Sequence, residues 1–223
     1  MFVLDGENGD SPMPESGLNR NFITFEGIDF SGKSTQAVRL YNRLAKKCSC
    51  LLLRDPGATR ISERIRSILL DNSHTEMSYW TELLLYEAAR AQMVEETIVP
   101  ALEEGRIVIC DRFYDSTTAY QGYGRGLDLQ FVGNANQIGS CRLTPAKTFL
   151  FDVEPGVVRA RKEKSNRTED RLEAEGMEFL ERVRAGYQSI AKENPDRFYL
   201  LDGGRSVLEL EDTIWNIITN YLF

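Results

Sequence analysis

The sequence predicts an α/β protein built on a doubly wound, five-stranded parallel sheet flanked by helices. Three observations predict it. Five short apolar runs rich in β-favouring residues recur along the chain: Phe22-Ile23-Thr24-Phe25, Leu51-Leu52-Leu53, Ile107-Val108-Ile109-Cys110, Thr148-Phe149-Leu150-Phe151 and Phe198-Tyr199-Leu200-Leu201. Runs of this kind suit parallel strands buried on both faces. Segments with helical period separate them, and strands alternating with helices make a parallel sheet. Finally, the first run leads into Gly27-Ile28-Asp29-Phe30-Ser31-Gly32-Lys33-Ser34-Thr35, which matches G-x-x-x-x-G-K-[ST] and is followed by a helical pattern, Ala37, Leu40, Tyr41 and Leu44. Strand, glycine loop and helix occur in the order that gives this motif its meaning.

The loop is a phosphate-binding device. Gly27 and Gly32 let the backbone curl so that successive N–H groups and the helix N-terminus face an anion. Lys33 supplies a point charge for the β- and γ-phosphates of a nucleoside triphosphate, and the Ser34 hydroxyl can complete a Mg²⁺ shell that is otherwise mostly water. The motif alone does not choose between a kinase, a GTPase switch and an ATP-driven motor.

Composition narrows the classes. A chain of 223 residues, 42% hydrophobic, can bury a core in one domain. The net charge of −7 argues against a nucleic-acid binder. Cys48, Cys50, Cys110 and Cys141 form no C-x-x-C, so reduced, buried thiols and a cytoplasmic location are expected. The single histidine, His74, excludes a multi-histidine metal site and reads as a surface loop residue. No apolar run approaches the roughly 20 residues of a membrane span.

Residues 1 to 20 are polar, acidic and without apolar period, and read as a disordered or loosely attached tail; residues 21 to 223 read as one domain. The second strand runs into the turn Arg54-Asp55-Pro56-Gly57, and Ile61, Ile65, Ile68 and Leu69 mark an amphipathic helix. A long helix is expected from Ser78 to Glu104, with Trp80, Leu83, Leu84, Ala88 and Ala91 toward the core, Tyr86 and Arg90 on one face, a fresh turn or kink at Pro100 and a stop at Gly105. Asp111 closes the third strand and is either a Walker-B carboxylate ordering Mg²⁺ through water or a cap for the next segment. Residues 119 to 127 are glycine-rich and read as a loop closing over a site, or as a plain linker. Asp128 can cap a helix carrying Phe131, Ala135 and Ile138. After the fourth strand, Pro155 falls near a helix start. Residues 159 to 171 hold Arg159, Arg161, Lys162, Lys164, Arg167 and Arg171; such a run is either a solvated face or a lid carrying guanidinium groups to a transferring phosphoryl. Leu180, Val183, Tyr187, Ile190 and Ala191 mark a further helix, and Ser206 with Glu209 forms a capping box for the last.

From Phe22 to about residue 222 the chain resembles the thymidylate kinases, of the nucleoside monophosphate kinase group. The carriers are Phe25-Glu26-Gly27 leading into the glycine loop, Arg54-Asp55-Pro56-Gly57, Tyr86-Glu87-Ala88-Ala89-Arg90-Ala91-Gln92, and Asp111-Arg112-Phe113 with Ser116 and Ala119-Tyr120-Gln121-Gly122. The resemblance implies a P-loop nucleoside monophosphate kinase fold with a small lid at about 159–171, ATP and Mg²⁺ as cofactors, dTMP as acceptor, and a homodimer with the long helices packed together. It implies that Asp29 lies near the acceptor sugar and phosphates, that Arg54 and Arg112 hold the acceptor phosphate, that Tyr86 stacks on thymine, and that Arg90 hydrogen-bonds the base edge. Tyr120 would crowd a ribose 2′-hydroxyl, and Ser116 and Gln121 would border the substrate. Some members carry an arginine in the loop where this chain has Phe30; those without it draw the catalytic cation from the lid, here Arg159, Arg161 or Arg167. Asp55, Ala58 and Tyr86 stand where Glu, Gly and Phe are commoner. A kinase for another monophosphate or a deoxynucleoside is the nearest alternative. A nucleotide-dependent switch is the more distant one, and the guanine-reading N-K-x-D pattern is absent.

Overall fold

The computed structural model describes residues 18–165, 171–172 and 174–223. The expected tail therefore lies almost wholly outside the described residues, apart from a 3₁₀ turn, Leu18–Asn21, that leads into the sheet. Arg167 also lies outside them.

Five parallel strands, β1 (Phe22–Glu26), β2 (Cys50–Arg54), β3 (Ile107–Asp111), β4 (Lys147–Asp152) and β5 (Phe198–Asp202), pair in the order β2-β3-β1-β4-β5. β1 is central and wholly buried because it is covered on both faces. β2 and β5 are edge strands, so the expectation that Leu51-Leu52-Leu53 is fully buried is corrected: only Leu53 is. Each strand ends in a charged residue, Glu26, Arg54, Asp111, Asp152 and Asp202 respectively. Ligands of open α/β sheets bind at the carboxyl edge, and here that edge is charged throughout.

The helices are α1 (Lys33–Leu44), α2 (Arg60–Leu70), α3 (Tyr79–Met93), α4 (Val99–Glu103), α5 (Tyr114–Thr117), α6 (Leu129–Gly139), α7 (Pro155–Glu163), α8 (Met177–Glu193) and α9 (Val207–Leu222). On one face of the sheet, Ala37, Leu40 and Leu44 of α1 and Leu210, Ile214 and Ile218 of α9 pack on Ile23, Phe25, Phe149 and Phe151. Thr59, Ser78, Asp128 and Ser206 cap α2, α3, α6 and α9 with their side chains, and Ser206 with Glu209 completes the expected capping box.

Three expectations are corrected. The long helix is not uniform: a π-helical turn, Val94–Ile98, separates α3 from α4, which begins beside Pro100. Its phase also differs, for Leu83 is buried but Trp80, Leu84 and Ala88 face outward while Glu82, Tyr86, Glu87 and Arg90 face inward. The inward charges are all paired, Glu87 with Arg90, Arg90 also with Asp55, and Glu82 with Arg125 and Arg171, so polarity no longer marks the solvent side. Second, the glycine-rich stretch is not an open loop. Residues Thr118–Gly124 form a π-helical segment packed under α8. A Cβ on Gly124 would stand 2.7 Å from Phe179 and 2.8 Å from Val183, so the glycine permits close packing rather than mobility. Third, Phe131 and Ile138 of α6 and Ile61 and Ile68 of α2 are exposed, and the buried positions of α6 are Val132, Asn136 and Gly139. His74 is half-buried in the α2–α3 connection, and of the four free cysteines only Cys110 is fully buried.

Candidate active site

The loop between β1 and α1 folds as its glycines require. Gly27 has φ 138°, Phe30 φ 59° and Gly32 φ 98°. A Cβ on Gly27 would come within 2.7 Å of the Phe151 carbonyl oxygen, so no larger residue fits. Gly32 is the N-cap of α1 and makes no side-chain cap, which leaves the first N–H groups of a 12-residue helix available to an anion. Lys33 is buried, with Nζ 3.4 Å from the Ile28 carbonyl oxygen and 3.5 Å from Asp29 Oδ1. Burial and the nearby Arg112 charge hold its ammonium below its usual pKa, against the pull of Asp29, Asp111 and Glu26.

Asp29, Lys33, Ser34, Arg54, Tyr86, Arg90, Asp111, Arg112, Ser116, Tyr120 and Gln121 line one cleft, a cavity of about 310 Å³ at the carboxyl edge of β1, β2 and β3. Thus the substrate and metal candidates come together. Asp55, Arg66, Thr117 and Leu172 also line it and were not anticipated as site residues. Within the glycine loop Ile28 and Ser31 are buried, Phe30 is half-buried and Thr35 is exposed.

Arg112 organises the centre. It sits at φ 72°, with its backbone N–H donating to the Phe25 carbonyl oxygen at 2.9 Å. Nη1 donates to Gly27 O (3.0 Å), Ser116 Oγ (3.0 Å) and Tyr187 OH (3.1 Å), and Nη2 to Asp29 Oδ1 (2.7 Å) and Tyr120 OH (3.2 Å). The Tyr120 hydroxyl donates in turn to Asp29 Oδ2 at 3.0 Å. Burial by itself would raise the Asp29 pKa, but the Arg112 and Lys33 charges outweigh it and hold the carboxyl well below the usual range. Behind this group Glu26 accepts from Phe113 N (2.7 Å), Ser116 Oγ (2.6 Å) and Tyr187 OH (3.0 Å). Burial, with the Asp115 charge next, pushes Glu26 up to about 7 against the lowering effect of Ser116 and Arg112.

Glu26 and Tyr187 were missed by the sequence reading as site residues, since one closes a strand and the other lies on an apolar helix face. The signal available was a carboxylate placed at the end of a wholly apolar strand.

Arg90 is 1% exposed and fully engaged on three sides: Nε donates to Asp55 Oδ2 (2.6 Å), Nη1 to Glu87 Oε1 (2.6 Å) and Nη2 to Thr117 Oγ1 (2.7 Å). Its guanidinium plane is fixed before any ligand arrives. Arg54 is exposed and pairs with Glu63 at 3.0 Å. Arg161, expected as a lid cation, instead donates to two backbone carbonyls, Phe30 O at 2.9 Å and Gly203 O at 2.8 Å. Arg159 pairs with Glu163 on the surface.

A five-stranded parallel sheet, a glycine loop opening α1, and a cleft that sets Lys33 and Arg112 beside an aromatic wall define a P-loop kinase of the nucleoside monophosphate type. The family model described as "Thymidylate kinase" matches residues 25–214. Among similar proteins, the thymidylate kinase of Thermoanaerobacter sp. (strain X514) is 44% identical over 206 residues, covering 92% of this chain and all of the relative. That of Chlorobaculum parvum is 48% identical over 189 residues, covering 81% and 87%. The crystal structure of thymidylate kinase from Ehrlichia chaffeensis superposes with a TM-score of 0.72 at 34% identity, covering 88% of this chain and 97% of that one. The chain belongs to the thymidylate kinase family.

Proposed function

We propose that the chain carries out its family's reaction, transfer of the γ-phosphoryl of ATP to dTMP to give dTDP and ADP, by direct in-line displacement in the cleft just described. The observation that carries this reading is that one cleft is lined by a phosphate-loop lysine, a pre-positioned arginine and an aromatic wall, in Lys33, Arg112 and Tyr86. The acceptor oxygen is already anionic near neutral pH, so no general base is required. The obstacle is repulsion between two polyanions, and catalysis is positioning plus charge stabilisation.

In this reading the backbone of Gly27–Thr35 and the Lys33 ammonium hold the triphosphate. Arg112 and Arg54 hold the acceptor phosphate, with Asp29 and Ser116 fixing Arg112. Tyr86 presents its ring to thymine, Arg90 and Gln121 border the base, and Tyr120 excludes a 2′-hydroxyl. Arg161 and Arg167 are the candidates for a further cation. Mg²⁺ would supply charge neutralisation at the phosphates, and Ser34 and Asp111 are the residues that would hold it. They fit: both line the cleft, and Asp111 Oδ1 is buried with no hydrogen-bond partner among the described residues.

The reading includes a homodimer joined through α3 and α6. Leu84 (62% exposed), Phe131 (62%) and Ile138 (76%) form an unpaired apolar surface there, with Trp80 set edge-to-face on Phe131 at 6.1 Å. It also includes a cytoplasmic location, supported by four free thiols. Among the described residues no helix is long and apolar enough to cross a membrane.

The test is an acceptor assay. Purified protein with Mg²⁺ and ATP should form dTDP from dTMP in preference to products from dCMP, dGMP, AMP or thymidine. Release of inorganic phosphate without dTDP overturns the reading in favour of a nucleotide switch.

A further inference from the structure

Glu82 is the least expected buried charge in the molecule. It lies in the first turn of α3 and is fully buried, yet it neither touches the glycine loop nor lines the cleft. Three hydrogen-bond donors and one further guanidinium converge on it. Gln121 Nε2 donates to Oε1 at 2.8 Å, Arg125 donates Nε to Oε1 and Nη2 to Oε2, each at 3.2 Å, and Arg171 Nη2 pairs with Oε2 at 2.5 Å. Arg125 also pairs with Glu175, and its guanidinium lies 4.7 Å over the Tyr79 ring and 4.9 Å over that of Phe179. Two arginines thus balance two carboxylates.

Burying charges in this way costs several kcal/mol per ion before pairing, and apolar residues of similar volume would hold a fold at least as well. What the cluster gives in return is geometry. Gln121 and Leu172 both line the acceptor cleft. Gln121 is held directly by Glu82, whereas Leu172 follows Arg171, which Glu82 holds and whose Nε is tied to the Leu69 carbonyl oxygen at 3.1 Å. Tyr86, the third of these cleft residues, stands four residues along α3 from Glu82, on the same helix face. The three cleft-lining residues therefore come from three separate parts of the chain, and one carboxylate lies where they meet.

We infer that Glu82 is a positioning residue for the acceptor-base pocket, acting through Gln121 on one side and the Arg171–Leu172 segment on the other. The inference rests on the dTMP kinase reading and deepens it. Its carboxylate stays ionised in place, because the hydrogen bonds from Arg125 and Gln121 outweigh the effect of burial. A small displacement of the residues that shape a binding pocket can cost on the order of 10²-fold in rate.

The test is steady-state kinetics with each substrate varied. Glu82→Gln should raise KM for dTMP about tenfold and leave KM for ATP within twofold. A purely structural role would lower the active fraction, and hence the apparent kcat, without moving either KM. Gln121→Ala should also raise KM for dTMP, and adding Glu82→Gln to it should cost less than in the wild type, because the two act through a shared contact. Should Glu82→Gln fail to fold, Arg171→Met, at the more exposed end of the cluster, carries the same KM comparison. An unchanged KM for dTMP in the folded variants, with wild-type protein active on dTMP, overturns the inference. Wild-type protein inactive on dTMP overturns the kinase reading instead.

Discussion

Arg112 Nη2 lies 2.7 Å from Asp29 Oδ1, so the guanidinium proposed for the acceptor phosphate is locked to the glycine loop proposed for the donor. The two proposed sites share one joint. Its second nitrogen reaches Gly27 O, Ser116 Oγ and Tyr187 OH, and a lysine has neither the fork nor the reach to satisfy these together. Arg112→Lys should therefore lower kcat by about 10²- to 10³-fold, some 3 to 4 kcal/mol of transition-state stabilisation, with circular dichroism unchanged. Normal turnover in a folded variant would remove Arg112 from the mechanism.

Lys33 belongs to the glycine loop itself, and its ammonium is held by the Ile28 carbonyl and Asp29. Lys33→Ala should abolish phosphoryl transfer while the protein remains folded. The measurement is dTDP formation under saturating ATP, and retained activity would rule out the assignment of the loop as the donor site.

Arg161 joins the loop at Phe30 O to the β5–α9 connection at Gly203 O. Hydrogen bonds from a charged donor are worth about 1.5 to 3 kcal/mol each, so removing them should loosen the donor site. Arg161→Ala is expected to raise KM for ATP by roughly tenfold or more. A kcat loss with KM for ATP unchanged would mean that the guanidinium acts on the transferring group and not as a staple.

The sheet was legible in the sequence because its five strands are short apolar runs, and the glycine loop because its backbone geometry admits few residue types. Helix faces were less legible. On α3, Trp80 and Leu84 looked like core but are exposed, whereas Glu82 and Glu87, to which the pattern assigned no core place, are buried. Periodicity assumes that charge means water, and this helix buries charges in pairs. The same cause hid Glu26 and Tyr187, whose importance lies in hydrogen bonds to residues 90 and 75 positions away, Ser116 and Arg112. Gly122 and Gly124 misled in the opposite way, since a glycine that permits close packing reads like one that permits motion. Spacing put Tyr86 and Arg90 on one face, whereas Arg112 and Tyr120 were named through the family resemblance, which carries positions that spacing alone does not.

A thymine pocket distinguishes its 5-methyl group by packing. Tyr86 and Tyr120 line the cleft as nearly buried aromatic walls. One methyl group in such a pocket is worth about 1 to 3 kcal/mol. dTMP should therefore exceed dUMP by about 10- to 200-fold in kcat/KM. Equal values would show that the methyl group is not read.

Glu26 gives the fold a pH dependence whose sign follows from its surroundings. Its carboxyl is pushed up from the ordinary 4.5 to about 7 by burial and by Asp115, so the folded protein keeps a proton that the unfolded chain releases. Where the native state binds more protons, stability falls as pH rises. The loss should begin near pH 4.5 and be complete just above pH 7, amounting to about 3 kcal/mol at 1.36 kcal/mol per unit. Asp29 acts in the opposite sense and in a lower window: its depressed pKa contributes stability that is present above the unfolded value and lost as pH falls below it. The two groups are therefore separable by pH. Glu26→Gln keeps an acceptor toward Phe113 N, presents an NH2 donor in place of the oxygen that accepts from Ser116 and Tyr187, and cannot ionise, so it should flatten the decline between pH 5 and 7 in urea unfolding and leave the acid limb in place. A variant that declines as steeply as the wild type over that range would show that Glu26 is not the group responsible.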